Sequence, residues 1–266
     1  MNTIRFRCGL GMMALVMAAL AGCAALPSVS SVDELPTSSD QTDVQKRASI
    51  RLQLAINYYE QRQWKTALGE IKQSLSIDPR NADAYGVRAL IYMEMKENRL
   101  AEDNFLYALK LSPRNPDISN NYGWFLCQNG REAASISYFN DAVGNRSYQS
   151  PSKALNNAGV CSMRVKQSDE ALKYFLRAFQ IDPDHPLTNA YLAKIFSDRR
   201  DTIRARFYLN RLSKSETITP DVLWIAIKTA HKLGDRDSEM SLAAQLRRNH
   251  PNSSEYTALQ REAFDD

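Results

Sequence analysis

The chain has 266 residues, 44% of them apolar and 24% charged, a balance that suits a folded globular protein and excludes a disordered one. Ten glycines and ten prolines are few for this length and favour long regular elements over many tight turns. A formal charge of +4 is too small to point to nucleic acid.

The first element is a leader. Arg5 and Arg7 precede an apolar run from Leu10 to Leu20, the charge and length pattern of an export signal and too short for a comfortable bilayer span. It ends Leu20-Ala21-Gly22-Cys23, which resembles the lipobox of bacterial lipoproteins. That resemblance implies removal of residues 1–22 and lipidation of Cys23, with several acyl chains that hold the protein without spanning the membrane. Ala24 stands where an Asp would resemble an inner-membrane retention signal, so the expected address is the periplasmic face of the outer membrane. Loss of the leader lowers the formal charge to +2. Residues 23–45, rich in Ser, Thr, Pro and Asp, read as a flexible tether.

Beyond the tether, prolines recur at a fixed interval. Pro79, Pro113, Pro183 and Pro251 are separated by 34, 70 and 68 residues. A period near 34 is the mark of the tetratricopeptide repeat, a pair of helices A and B closed by proline. Internal positions keep the same frame. Small residues Ala55, Ala89, Gly123, Gly159 and Ala193 mark helix A, and Ala67, Ala101, Ala171 and Ala205 mark helix B. The bulky B position holds Ile71, Phe105, Phe139, Phe175 and Leu209, followed by Ser74, Ala108, Ala142 and Ala178. Small residues let two helices cross closely, and proline stops helix B because it lacks the next donor and clashes with the preceding turn. The third unit takes two extra residues in "VGNRSYQSP", read as a loop, and the sixth is weak, with Ile227, Leu246 and Pro251 its main anchors. The predicted fold is all-α, a right-handed α-solenoid of about six such repeats over 46–252, with a capping helix and tail over 253–266.

One residue past each crossing position the side chain is rotated by about 100°, which turns Ile56, Leu90, Trp124 and Val160 to the inner wall. One turn later come Tyr59, Met93, Cys127 and Met163. Such a stripe is either core between repeats or a groove for an apolar partner segment. Asn121 and Asn157, two residues before the glycines, either bond a bound peptide's backbone or bridge neighbouring helices. The candidate groove is therefore Ile56, Tyr59, Leu90, Met93, Asn121, Trp124, Asn157 and Met163. Cys127 and Cys161 stand 34 residues apart at almost equivalent places of adjacent A helices and are expected to pair in an oxidising periplasm, provided the helices approach closely.

Catalytic signatures are missing from the sequence. His185, His231 and His250 are far apart, and there is no Cys-x-x-Cys, Gly-x-Ser-x-Gly, His-Glu-x-x-His or glycine-rich phosphate loop. The expectation is a binding protein without catalytic residues, metal, cofactor or small-molecule substrate. Arg199, Arg200, Arg204, Arg206 and Arg211 form a basic run that reads as a solvated helix face, with an acidic partner or phospholipid headgroups as the alternative.

The stretches "NNYGWFLCQNGR" and "LNNAGVC", on an exported repeat chain with a lipobox, resemble the type IV pilus pilotin family, PilF or PilW. The resemblance covers essentially the mature chain. It implies an outer-membrane lipoprotein that binds subunits of the type IV pilus secretin and promotes their localisation and multimerisation, with Cys127 and Cys161 matching the family's paired cysteines and Cys23 its lipidated one. A periplasmic scaffold for another envelope assembly machine is the competing reading.

Overall fold

The computed structural model describes residues 42–212 and 217–264, and those from Asp43 onward belong to one compact unit. Cys23, the leader and the tether up to residue 41 lie outside the described residues. Every described element is an α-helix, and none is long and apolar enough to cross a membrane. Six antiparallel pairs follow one another. They are α1 (Asp43–Glu60) with α2 (Trp64–Ile77), α3 (Ala82–Glu94) with α4 (Asn98–Leu111), and α5 (Pro116–Gln128) with α6 (Glu132–Gly144). Then come α7 (Pro151–Arg164) with α8 (Ser168–Ile181), α9 (Pro186–Asp198) with α10 (Thr202–Leu212), and α11 (Pro220–Lys232) with α12 (Arg236–Asn249). A single short helix, α13 (Ser254–Gln260), closes the unit against α11 and α12. The first helix starts at Asp43, inside the stretch read as the end of the tether.

Local chemistry sets the boundaries. Pro116, Pro151, Pro186 and Pro220 open four of the A helices at a position where the missing N–H costs nothing. Asn81 and Asn115 cap α3 and α5, the Asn115 carboxamide oxygen accepting from the N–H groups of Asp117 (3.0 Å) and Ile118 (3.1 Å). Each A helix ends in a left-handed residue, and these fall at Arg62, Lys96, Gly130, Lys166, Arg200 and Gly234. The next N–H reaches back to the last turn, as Gln63 does to the Tyr58 carbonyl and Gln167 to that of Ser162, both at 2.9 Å. Four of these six positions are not glycine, so the fold accepts about 1 kcal/mol of backbone strain at each.

The repeat frame becomes the core. Ala55, Ala89, Gly123, Gly159, Ala193 and Ile227 are all buried at the A/B crossings, and Ile71, Phe105, Phe139, Phe175 and Leu209 fill the space beside them. Successive A helices touch one another, while each B helix also meets the next A helix. In the first pair the late small residue is Ser74, whose hydroxyl donates to the Ala48 carbonyl at 2.8 Å, so a buried polar group is satisfied at a tight crossing. The sixth pair departs from the pattern. Ile227 replaces the small residue, and Glu239, at the helix B small position, uses its carboxylate as acceptor for His231 Nδ1 at 3.0 Å.

The extra residues after α6 do more than lengthen a loop. Tyr148 turns inward and is buried against Ala142 and Ala154, filling the gap between the third and fourth pairs. Its hydroxyl is buried without a hydrogen-bond partner among the described residues. Tyr148→Ala is expected to cost about 3 kcal/mol in urea unfolding, whereas Tyr148→Phe should stay within about 0.5 kcal/mol of the parent. A Phe variant as damaged as the Ala variant would assign the anchoring to the hydroxyl instead of the ring.

Candidate partner-binding site

All eight candidate groove residues are half-buried. Each is partly covered by its neighbours and keeps part of its surface exposed. Tyr59 packs on the first cluster, Leu90 and Met93 on the second, and Trp124 and Met163 on the clusters further along. Val160 and Cys127, at the same offsets, are buried outright and belong to the core.

Met93 and Trp124 line a cavity of about 430 Å3 together with Glu94, Lys96, Gln128 and Asn129, the ends of neighbouring A helices. The Trp124 ring is held from one side. The Arg164 guanidinium lies 5.8 Å from its centroid and donates to the Cys127 carbonyl and to Gln128 Oε1, both at 3.1 Å. Trp124 is thus a pre-positioned aromatic surface, the type of side chain that anchors protein interfaces at little entropic cost. Tyr59 is fixed in a similar way by Trp64, with ring centroids 5.1 Å apart. Burial pushes its phenol up to about 12, and the Glu94 carboxylate adds to the effect, so Tyr59 acts as a neutral hydrogen-bonding group.

The asparagines bridge helices. Asn157 Nδ2 donates to Asn120 Oδ1 at 2.9 Å, and Asn120 Nδ2 donates to Asn121 Oδ1 at 3.2 Å, a chain that ties α7 to α5. One line further into the stack, the Thr188 hydroxyl donates to Asn156 Oδ1 at 2.7 Å. Beside these bonds Cys127 and Cys161 form a disulfide across the same two helices, with Cα atoms 5.9 Å apart and both residues fully buried.

The arginine run after α9 resolves into ion pairs. Arg199 meets Asp169, Arg204 meets Asp201 at 2.6 Å, Arg206 meets Asp235 at 3.9 Å and Arg211 meets Asp184 at 2.7 Å. Arg200 is the left-handed residue that closes α9. Arg199, Arg200, Arg204 and Arg206 are exposed, whereas Arg211 is half-buried, and Arg204 and Arg211 also lie over the Phe196 and Phe179 rings at 4.2 and 5.3 Å, so the run is a surface face of ion pairs that contribute little each and of two ring contacts. Sequence reasoning passed over Trp64 and the continuation of the inner wall past α8. There Tyr191, Lys194, Ile225 and Lys228 occupy the offsets already used for Asn157, Val160 and their counterparts. The signal was available, since only the chemistry of the stripe changes and its spacing does not.

Comparison with known proteins follows the same lines. Tetratricopeptide repeat family models match residues 87–152 and 152–185. The type IV pilus assembly protein PilF of Pseudomonas aeruginosa is 27% identical over 248 residues, which is 93% of this chain and 96% of that protein. The solved structure of PilW, described as a widely conserved type IV pilus biogenesis factor, superposes with a TM-score of 0.69 at 32% identity, covering 83% of this chain and 100% of that one. That of Pseudomonas aeruginosa PilF gives a TM-score of 0.71 at 26% identity with the same coverage of 83% and 100%.

Proposed function

Because the chain belongs to the PilF/PilW family of type IV pilus biogenesis tetratricopeptide proteins, we propose that it is a pilotin, an outer-membrane lipoprotein that binds secretin subunits and promotes their placement and multimerisation. Cys23 carries the lipid and supplies location, and the inner wall of the repeats supplies recognition. No bond is made or broken. A secretin subunit that must cross the periplasm exposes apolar and unpaired backbone surface, and a rigid groove that covers one such segment delays wrong pairing until the membrane is reached.

The observation that carries this reading is the inner-wall set Tyr59, Met93 and Trp124, half-buried side chains at two neighbouring offsets of the repeat, with Tyr59 held against Trp64 and Trp124 held by Arg164. Pre-set side chains lose little entropy on binding, so the contact energy goes into affinity.

Deletion of the gene is expected to abolish twitching motility and heat-stable secretin multimers. Cys23→Ser should leave the protein folded and displace the secretin from the outer membrane. Met93→Glu places a charge in the cavity beside Trp124 and should weaken secretin binding by about 2 kcal/mol, roughly thirtyfold in Kd, with the helical circular-dichroism signal preserved. Normal multimers and normal motility in the deletion strain would transfer the protein to a different envelope machine.

A further inference from the structure

The inner face changes chemistry half-way along the stack. One residue past each crossing the sequence reads Ile56, Leu90, Trp124 and Val160, then Lys194 and Lys228. Four residues later it reads Glu60, Glu94 and Gln128, then Arg164, Asp198 and Lys232. The first three pairs therefore offer an apolar stripe with an acidic edge, and the last three offer cations at four of the six matching positions, Val160 and Asp198 being the exceptions.

Those cations surround a cavity of about 1000 Å3 formed by α7, α9, α11 and the segment after α13. Arg164, Lys166, Lys194, Lys228 and Lys232 line it, with Asp198 the lining carboxylate among the described residues and Lys228 lying over the Trp224 ring. Asp198 is shared by Lys194 at 2.6 Å and Lys232 at 2.7 Å, so one negative charge answers two positive ones. Arg164 spends its donors on a carbonyl and an amide oxygen, which leaves its charge in place. Low-dielectric walls with one dominant sign of charge concentrate the field inside such a cleft. The walls between the cations are apolar, contributed by Met163, Tyr191 and Ile225. An inorganic anion has no use for that surface, whereas a polypeptide alternating acidic and apolar side chains matches both parts.

The chain itself already sets one aromatic ring at the cavity's edge. Phe264 lies flat on His231, with centroids 3.9 Å apart and planes 8° from parallel, and stacks on Trp224 at 5.7 Å. In the sequence Phe264 is followed by Asp265 and Asp266. The wall thus already receives an aromatic ring.

We propose that the inner face of the fourth to sixth pairs is a second binding surface, made for an acidic stretch of polypeptide bearing an aromatic side chain, which adjoins the apolar surface around Trp124 at Met163 and Arg164 and takes its ligand through Lys166, Lys194 and Lys232. It goes beyond the pilotin reading and stands if the partner at the apolar surface proves to be something other than a secretin.

The test uses the full chain in non-ionic detergent and fluorescence anisotropy of a rhodamine-labelled synthetic peptide that alternates aspartate and phenylalanine. Binding is expected, weakening by tenfold or more as an order of magnitude when asparagine replaces aspartate in the peptide or when the protein carries Lys166→Glu with Lys232→Glu. Met93→Glu should leave it unchanged. Thermal unfolding checks that the variants are folded, and a third variant, Lys194→Gln, keeps the test open if the charge reversals are not. Equal binding of the asparagine peptide, or loss through Met93→Glu with the lysine variants unaffected, overturns the proposal. Capture of phosphatidylglycerol vesicles through the same lysines with exclusion of the peptide also overturns it, in favour of a lipid headgroup site.

Discussion

Replacing both bridged cysteines, Cys127→Ala with Cys161→Ala, is expected to destabilise the repeat stack by about 4 kcal/mol. The bond closes a loop with a sequence separation of 34, and chain entropy alone sets that scale at 25 °C. The position of the bond makes a second, sharper expectation. Pairs in a solenoid touch only their neighbours, so stability is a sum of intrinsic and interface contributions. The interface between the third and fourth pairs is where two extra residues break the period, and it is also where cross-links gather. Besides the disulfide it carries Asn157 to Asn120 at 2.9 Å, Arg164 to the Cys127 carbonyl at 3.1 Å and Tyr174 Oη to Asn140 Oδ1 at 3.2 Å. With the bond intact, urea unfolding followed by circular dichroism should be a single transition. Without it the weakened interface should let the two halves separate, giving a lower midpoint and a broadened or double transition. A double variant that unfolds within about 1 kcal/mol of the parent, in one transition, would deny the bond this role.

The fold was legible in the sequence because a repeat multiplies its own signal. A lone Ala or Phe says little, but Ala55, Ala89, Gly123, Gly159 and Ala193 at matched offsets announce a crossing, and the structure buries all of them. Spacing also placed Cys127 and Cys161 on facing turns, and the helices approach closely enough for the pair to bond. Three features were harder to read. Tyr148 sits in a segment with turn chemistry, and nothing in its neighbours reveals that the ring fills a gap created by broken periodicity. Asn120 was passed over for Asn121, although one residue along a helix decides which side chain faces the adjacent A helix. The cationic half of the inner wall keeps the spacing of the stripe but replaces its apolar residues with Lys194 and Lys228, so apolar character alone does not trace it.

The site is less legible than the fold for a physical reason. A crossing position must be small whatever the protein does, so packing imposes the residue type. An inner-wall position needs only to avoid clashing, and its residue is set by a partner that lies outside the chain. Trp124 shows the difference. Its direction follows from helical geometry, whereas its readiness for contact depends on Arg164, a residue 40 positions later that stacks near it and bonds to the end of its own helix.

Phe175→Ala is expected to cost about 4 kcal/mol, since the ring is fully buried and stacks on Tyr191 at 4.9 Å with planes 10° apart. The companion substitution tests why glycine stands opposite it. A Cβ at Gly159 would lie 2.6 Å from the Phe175 Cζ and 2.7 Å from Cε1, closer than carbon atoms pack. Alanine would gain about 1 kcal/mol of helix propensity and lose about 2–3 kcal/mol to the crowded ring, so Gly159→Ala should destabilise on balance. An aromatic alone does not demand glycine, because the second pair combines Ala89 with Phe105; the demand comes from the approach of this ring to the α7 backbone. The fifth pair offers the alternative solution, Ala193 with Leu209. Transplanting it as Gly159→Ala with Phe175→Leu should therefore be less damaging than the sum of the two single substitutions, with a favourable coupling of about 1–2 kcal/mol. Strict additivity in urea denaturation, or a Gly159→Ala variant more stable than the parent, would mean that the helices separate freely and that glycine here is not required by packing.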